Sequence, residues 1–364
     1  MNNSVISRIF RPQILEMSAY KVADSTHFIK LDAMENPYNL PDEISQQWLE
    51  SLKHCALNRY PDPAAQKLTA LIKQVNDIPD AFDVLLGNGS DEIIQLLLMG
   101  LQIGSTVLAP EPSFVMYKQI SLSLGLNYQS VGLNEDFSLN LEAMLLAIDQ
   151  HQPAVIFLAY PNNPTGNLFK TADIKKIIEK SNGLVIIDEA YAPFAEASFI
   201  DFMGDYENLL VMRTLSKLGL AGLRLGFIAG QPSIIAELDK IRLPYNINVL
   251  TQTTACFALL HYDIFEQQTQ EICQQRGVVL SELNKIEGIK TYASAANFIL
   301  FKTPEGLADT VFLELKVRQI LIKNLSPQAG LLSDCLRVTI GTANENQLFL
   351  TTLIEIFNGQ FKIK

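Results

Sequence analysis

Short apolar runs recur along the chain, and between most of them lie longer stretches whose apolar residues return every three or four positions. The runs at 83–86, 106–109, 128–131, 153–158, 209–212 and 224–229 read as buried strands, as does a run from residue 183 that ends in the acids Asp188 and Glu189. The stretches at about 41–57, 64–76, 92–102, up to 124, 171–181 and 232–242 read as helices, and a long helical stretch covers 249–286. Strand and helix in alternation predict an α/β architecture with a largely parallel sheet. After that long helical stretch the texture changes to a smaller α+β unit, with strands at 289–292, 297–301, 320–323 and 336–340, a helix near 305–318 and a final helix from about 344. Residues 1–40 show no sustained helical period and read as an arm that packs onto other parts. The expected division is therefore an arm (1–40) contributing to the small domain, a large domain (41–265) and a small C-terminal domain (266–364).

Composition narrows the function. At 364 residues and 48% hydrophobic content the chain can bury a sizeable core. A net charge of −11 repels phosphate backbones, so nucleic acid is excluded as a partner and any anion site must be a local positive pocket. The four cysteines and four histidines show no metal-ligand spacing, so no metal is expected. There is no apolar signal region and no stretch that would span a bilayer, which predicts a cytoplasmic protein without a membrane partner.

The candidate chemistry centres on Lys217, which leaves the strand at 209–212 in Arg213-Thr-Leu-Ser-Lys-Leu-Gly-Leu-Ala-Gly-Leu-Arg-Leu-Gly226. A lysine at such an exit is most often simply solvated. An ammonium held among apolar neighbours instead loses hydration, its pKa falls, and the neutral amine can attack a carbonyl. Thr214, Ser216 and Arg224 nearby are equipment for gripping a phosphate. Gly87-Asn-Gly89-Ser90-Asp91-Glu92, between a strand and a helix, offers free N–H groups and a dipole end to an anion. It is not a dinucleotide fingerprint, because Glu92 stands where glycine or alanine is required. Phe114 sits at a strand's C-terminal end, where it can stack on a planar ring or belong to the core. The rigid loop Tyr160-Pro-Asn-Asn-Pro-Thr-Gly166 can aim Asn163 or Asn162 at a ligand hydroxyl. Asp188 is driven inward with no basic neighbour in sequence, a need that a ligand's protonated ring nitrogen would answer. Four apolar residues before Asp-Glu also describe a nucleotide-triphosphatase strand, but the chain has no Gly-Lys dipeptide and so no phosphate-binding loop of that class. Lys323 and Arg337, in the small unit, are further anion-binding candidates, since an arginine within an apolar alternation is hard to bury without an anion.

In order along nearly the whole chain, Leu31-Asp-Ala-Met-Glu-Asn-Pro, Asn58-Arg-Tyr-Pro-Asp-Pro, Gly87-Asn-Gly-Ser-Asp-Glu, Pro161-Asn-Asn-Pro-Thr-Gly, Ile187-Asp-Glu-Ala-Tyr, Thr214-Leu-Ser-Lys and Leu336-Arg-Val-Thr-Ile-Gly-Thr resemble the pyridoxal-phosphate aminotransferases of fold type I, and more narrowly the histidinol-phosphate aminotransferase family. The resemblance implies a large domain with a mostly parallel seven-stranded sheet, a small α+β domain, and pyridoxal 5'-phosphate as cofactor. It implies that Lys217 holds the cofactor as a Schiff base and moves the proton, that Asp188 pairs with the ring nitrogen, and that Asn163 and Tyr191 bond the ring hydroxylate. Phe114 would stack on the ring. Gly89, Ser90, Asp91, Thr214, Ser216 and Arg224 would hold the phosphate, with Tyr60 reaching it from the other subunit of a homodimer. Tyr20, Asn36, Lys323 and Arg337 would face the substrates, histidinol phosphate and 2-oxoglutarate. Two features depart from the family pattern. The interval from Lys217 to Arg224 is one residue shorter than in the commoner family segment, and Lys323 stands where many members carry arginine. An aromatic aminotransferase and a phosphothreonine decarboxylase share the cofactor residues and are the competing enzyme readings. A non-catalytic sensor on this fold would need a DNA-binding segment, for which the first 40 residues are too short.

Overall fold

The computed structural model describes residues 5–19 and 24–361. The arm opens with two short helices, Val5–Ile9 and Pro12–Glu16, each too short to have left a sustained period in the sequence. Its strand β1 (Ile29–Lys30) pairs in parallel with β11 (Ile320–Leu321). Seven strands form the main sheet: β2 (Asp83–Gly87), β3 (Thr106–Glu111), β4 (Asn127–Gly132), β5 (Val155–Ala159), β6 (Leu184–Asp188), β7 (Leu209–Thr214) and β8 (Gly226–Gly230). Their order is β2-β8-β7-β6-β5-β3-β4, and β8 alone runs against the direction of the other six. Helices cover both faces of the sheet, so the central strands carry unbroken apolar runs instead of alternation. Every residue of β5 is buried.

Several element boundaries differ from those the sequence pattern predicts. The helix that opens at Asp42 ends at Leu52, short of residue 57, because Leu57 finds no burial and is 73% exposed. The helix expected from residue 92 begins at Gly89, since the Glu92 carboxylate reaches back to accept the Asn88 N–H at 2.5 Å and closes the first turn early. The helix Leu141–His151 is absent from the predicted elements: exposed Leu146 among buried Met144, Ala147 and Ile148 blurs its period. The stretch 249–286 is two helices, Val249–Leu260 and Tyr262–Leu283, parted at His261. The predicted strand 320–323 is split at Ile322. Its first half pairs with the arm, and its second, β12 (Lys323–Asn324), joins a four-stranded sheet with β13 (Cys335–Thr339), β10 (Phe298–Lys302) and β9 (Lys290–Thr291).

That smaller sheet packs its own core from Phe298, Phe301, Phe349 and Leu353, and Leu31 of the arm lies in it. The Tyr262–Leu283 helix serves both cores: Phe265 belongs to the large one, and Ile272, Val279 and Leu283 to the small one. No helix among the described residues is long and apolar enough to cross a membrane.

Candidate active site

Parallel strands end on one edge of their sheet, and the loops leaving those ends converge. Here β3, β5, β6 and β7 are followed within a few residues by Phe114, Asn163, Tyr191 and Lys217, and β6 and β7 close on Asp188 and Thr214 themselves. These six side chains, with Ser90, Asp91, Ser216 and Arg224, bound one cavity of about 120 Å³.

Lys217 lies in a wide helical turn that Gly219 breaks at φ 133°, a conformation glycine takes without strain. Its Nζ donates to the Ala33 carbonyl at 3.2 Å. Loss of hydration, helped by the Arg337 and Arg224 guanidinium groups, pulls its pKa down to about 8. Asp188 is 4% exposed, with Oδ2 accepting from the Tyr117 hydroxyl at 2.5 Å and Oδ1 from the Ala190 N–H at 3.0 Å. Burial still pushes it up to about 6, against the pull of those donors. The cavity thus holds an amine that gives up its proton easily and a carboxyl that takes one easily.

At the other end lies an anion cradle. Ser90 and Asp91, in the first turn of the Gly89–Met99 helix, line the cavity with Thr214 and Ser216, whose hydroxyls bond each other at 3.0 Å, and the N-terminal end of a helix favours an anion. Arg224 takes a left-handed backbone, φ 48°, and so reaches Asp91 at 3.3 Å despite the shortened interval after Lys217. A Cβ built on Gly89 would stand 2.6 Å from the Arg224 guanidinium, and one on Gly226 would stand 2.9 Å from the Ser90 nitrogen. Glycine is required for this approach.

Of the two loop asparagines, Asn162 is locked into its own loop by Ser113, Pro112 and Thr165. Asn163 instead faces the cavity, donating to the Tyr191 hydroxyl at 3.0 Å and accepting from Arg337 at 2.6 Å. Arg337 also donates to the Asp32 carbonyl, and Lys323 stands directly opposite it in the β12–β13 ladder. Asn36 does not line the cavity. Its amide ties the Leu218 carbonyl to Gln268, bracing the Lys217 turn from outside. Tyr60 lies away from the cavity, 81% exposed and stacked on Tyr245 at 4.5 Å. Tyr20 falls outside the described residues. The sequence reading missed Tyr117, whose partner Asp188 is 71 residues away, and the arm carbonyls of Asp32 and Ala33, which no side-chain pattern announces.

A depressed lysine, a buried proton-accepting carboxyl, an aromatic face and a phosphate cradle around one cavity fit pyridoxal 5'-phosphate, which brings an aldehyde, a basic ring nitrogen, a planar ring and a phosphate. Comparison with known proteins agrees. The chain is 53% identical over 354 residues to histidinol-phosphate aminotransferase 2 of Nitrosococcus oceani, covering 97% of this chain and 98% of that protein. It is 48% identical over 353 residues to histidinol-phosphate aminotransferase 2 of Cupriavidus pinatubonensis, covering 95% and 96%. The solved structure of histidinol-phosphate aminotransferase from Sinorhizobium meliloti in complex with pyridoxal-5'-phosphate superposes with a TM-score of 0.85 at 20% identity, covering 96% of this chain and 98% of that one, and shows the same fold. Residues 26–353 match the family model for class I and II aminotransferases, and the chain belongs to that family.

Proposed function

We propose that the chain transfers the amino group of L-histidinol phosphate to 2-oxoglutarate, with pyridoxal 5'-phosphate as cofactor, as a cytoplasmic homodimer. The observation that carries the chemistry is the pairing of Lys217, lowered to about 8, with Asp188, raised to about 6, on one cavity beside an anion cradle. The substrate follows the name shared by relatives that span nearly the whole chain. Four free thiols, Cys55, Cys256, Cys273 and Cys335, suit a reducing compartment. In this reading residues 41–265 form the cofactor-binding unit, and 266–364 with the arm form the smaller one.

Bound pyridoxal phosphate supplies a sink for the electron pair left at the substrate Cα. Lys217 Nζ would hold the cofactor at rest and would then carry the proton to and from Cα, a task suited to an amine whose pKa is drawn down to about 8. Asp188 keeps the ring nitrogen positively charged. Asn163 and Tyr191 bond the ring hydroxyl, and Phe114 covers a ring face. Ser90 and Asp91 N–H groups at the Gly89 turn, the Thr214 and Ser216 hydroxyls and Arg224 hold the phosphate, with Tyr60 added from a second subunit. Arg337 and Lys323 bind the donor's phosphate and, in the second half-reaction, carboxylates of the keto acid. Tyr20 supplies a phenolic donor, and Asn36 acts indirectly by fixing the lysine turn. The test is kcat/KM for histidinol phosphate against phenylalanine and phosphothreonine, with glutamate and carbon dioxide both measured. Preference for histidinol phosphate with glutamate as product is expected. Preference for either competitor, or release of carbon dioxide in place of glutamate, overturns the assignment.

A further inference from the structure

We propose that Tyr117 is a positioning residue of this site, fixing both the Asp188 carboxylate and the Phe114 ring against the cofactor ring. The proposal rests on the cofactor reading above and concerns a residue that reading does not use. Tyr117 sits in the first turn of the Met116–Leu124 helix and is fully buried. Its ring lies flat on Phe157 of β5, centroids 4.5 Å apart and planes within 6°, and meets the Phe114 ring edge-on at 5.5 Å and 83°. Its hydroxyl donates to Asp188 Oδ2 at 2.5 Å. One side chain therefore touches the group that faces the ring nitrogen and the group that covers the ring face.

The contact with Asp188 has more than a packing consequence. The terminal torsion of an aspartate is soft, and two donors on different oxygens fix the carboxylate plane. Ala190 N–H holds Oδ1 and Tyr117 holds Oδ2, so removing the hydroxyl frees one oxygen to turn away from the ring nitrogen. A donated hydrogen bond also favours the charged carboxylate and makes it a weaker base. Without it Asp188 competes more strongly for the proton on the ring nitrogen, the ring loses positive charge, and the electron sink weakens. Phe157 keeps the aromatic ring of Tyr117 in place whether or not the hydroxyl is there, so Tyr117→Phe isolates the hydrogen bond.

The experiment measures equilibrium binding of pyridoxal phosphate, and of its analogue with carbon in place of the ring nitrogen, to apoenzyme. Wild type is expected to prefer the nitrogen ring. Tyr117→Phe is expected to lose about tenfold of that preference, the worth of one hydrogen bond to a charged group. In parallel, kcat should fall about tenfold or more while KM stays within about threefold. The same substitution in an Asp188→Asn background, where no charged acceptor remains, should change the preference less than about twofold. If wild type does not distinguish the two rings, the cofactor reading fails. If wild type distinguishes them and Tyr117→Phe does so equally, or if the effect persists undiminished beside Asp188→Asn, the role assigned to Tyr117 is wrong.

Discussion

Lys217 and Asp188 are each held where their charged form is unwelcome, and this strain is measurable without any turnover. Lys217 falls from 10.5 to about 8 on folding, so the folded chain binds fewer protons than the unfolded one between those values, and stability rises with pH across that window. Below pH 8 the penalty is fully present. Lys217→Met removes it, so the apoprotein variant is expected to be more stable than wild type at pH 7 by ~1–2 kcal/mol, with the difference shrinking as pH rises towards 10.5. Urea midpoints of both apoproteins from pH 7 to 10 check this, and a constant difference would contradict it. Asp188→Asn should leave cofactor bound but slow turnover on the order of 10²-fold, through loss of the charge opposite the ring nitrogen. A kcat within a few-fold of wild type would remove Asp188 from that role. These residues were legible in the sequence because their chemistry is peculiar to their types: an amine leaving an apolar strand, an acid ending one. Tyr117 was not, because a tyrosine three positions after Phe114 on a helix looks like core until the fold brings Asp188 to its hydroxyl.

The strands that carry the site were legible as apolar runs, since a sheet covered on both faces leaves few polar positions within it. Helix ends were less so, because they are settled by side chains such as Glu92 reaching back to Asn88, or by lack of burial as at Leu57. The contact between β8 and the start of the Gly89–Met99 helix is set by tertiary approach alone. Gly226→Ala would place a methyl 2.9 Å from the Ser90 nitrogen and push the cradle open. Pyridoxal phosphate affinity is expected to drop at least about tenfold with the fold retained, as equilibrium dialysis would show. On the opposite side of the β6 and β7 ends, Glu189 is fully buried and paired with Arg213 at 2.7 Å, and it also accepts the Phe199 N–H. Arg213→Met leaves that carboxylate without its cation and should cost ~3 kcal/mol of stability, seen as a lower denaturation midpoint. An unchanged midpoint would mean that solvent reaches Glu189.

At the scale of the molecule, Tyr60, Tyr245, Leu57, Leu243 and Leu250 are exposed around the 57–61 turn and the loop after Arg242, a surface suited to a second copy. If Tyr60 completes a neighbour's site, mixing inactive Lys217→Ala and Tyr60→Ala chains restores activity, because hybrid dimers contain one intact site. With random exchange the ceiling is about a quarter of wild type, half the dimers being hybrid with one of two sites working. No recovery under proven subunit exchange would refute the shared site. The arm carries a different consequence. Its Ala33 and Asp32 carbonyls accept from Lys217 and Arg337, partners 184 and 305 positions further along the chain. The first part of the lysine's surroundings to be synthesised therefore waits for nearly the last. A nascent chain can assemble the seven-stranded sheet once β8 has emerged, but it cannot fix Arg337 against the arm until β13 has been made and docked. Contacts of such separation close slowly. Refolding followed by fluorescence of Trp48, whose indole docks the Asp42–Leu52 helix on Thr254 of the Val249–Leu260 helix, and by cofactor uptake should then show two clocks, the helix docking early and the site late.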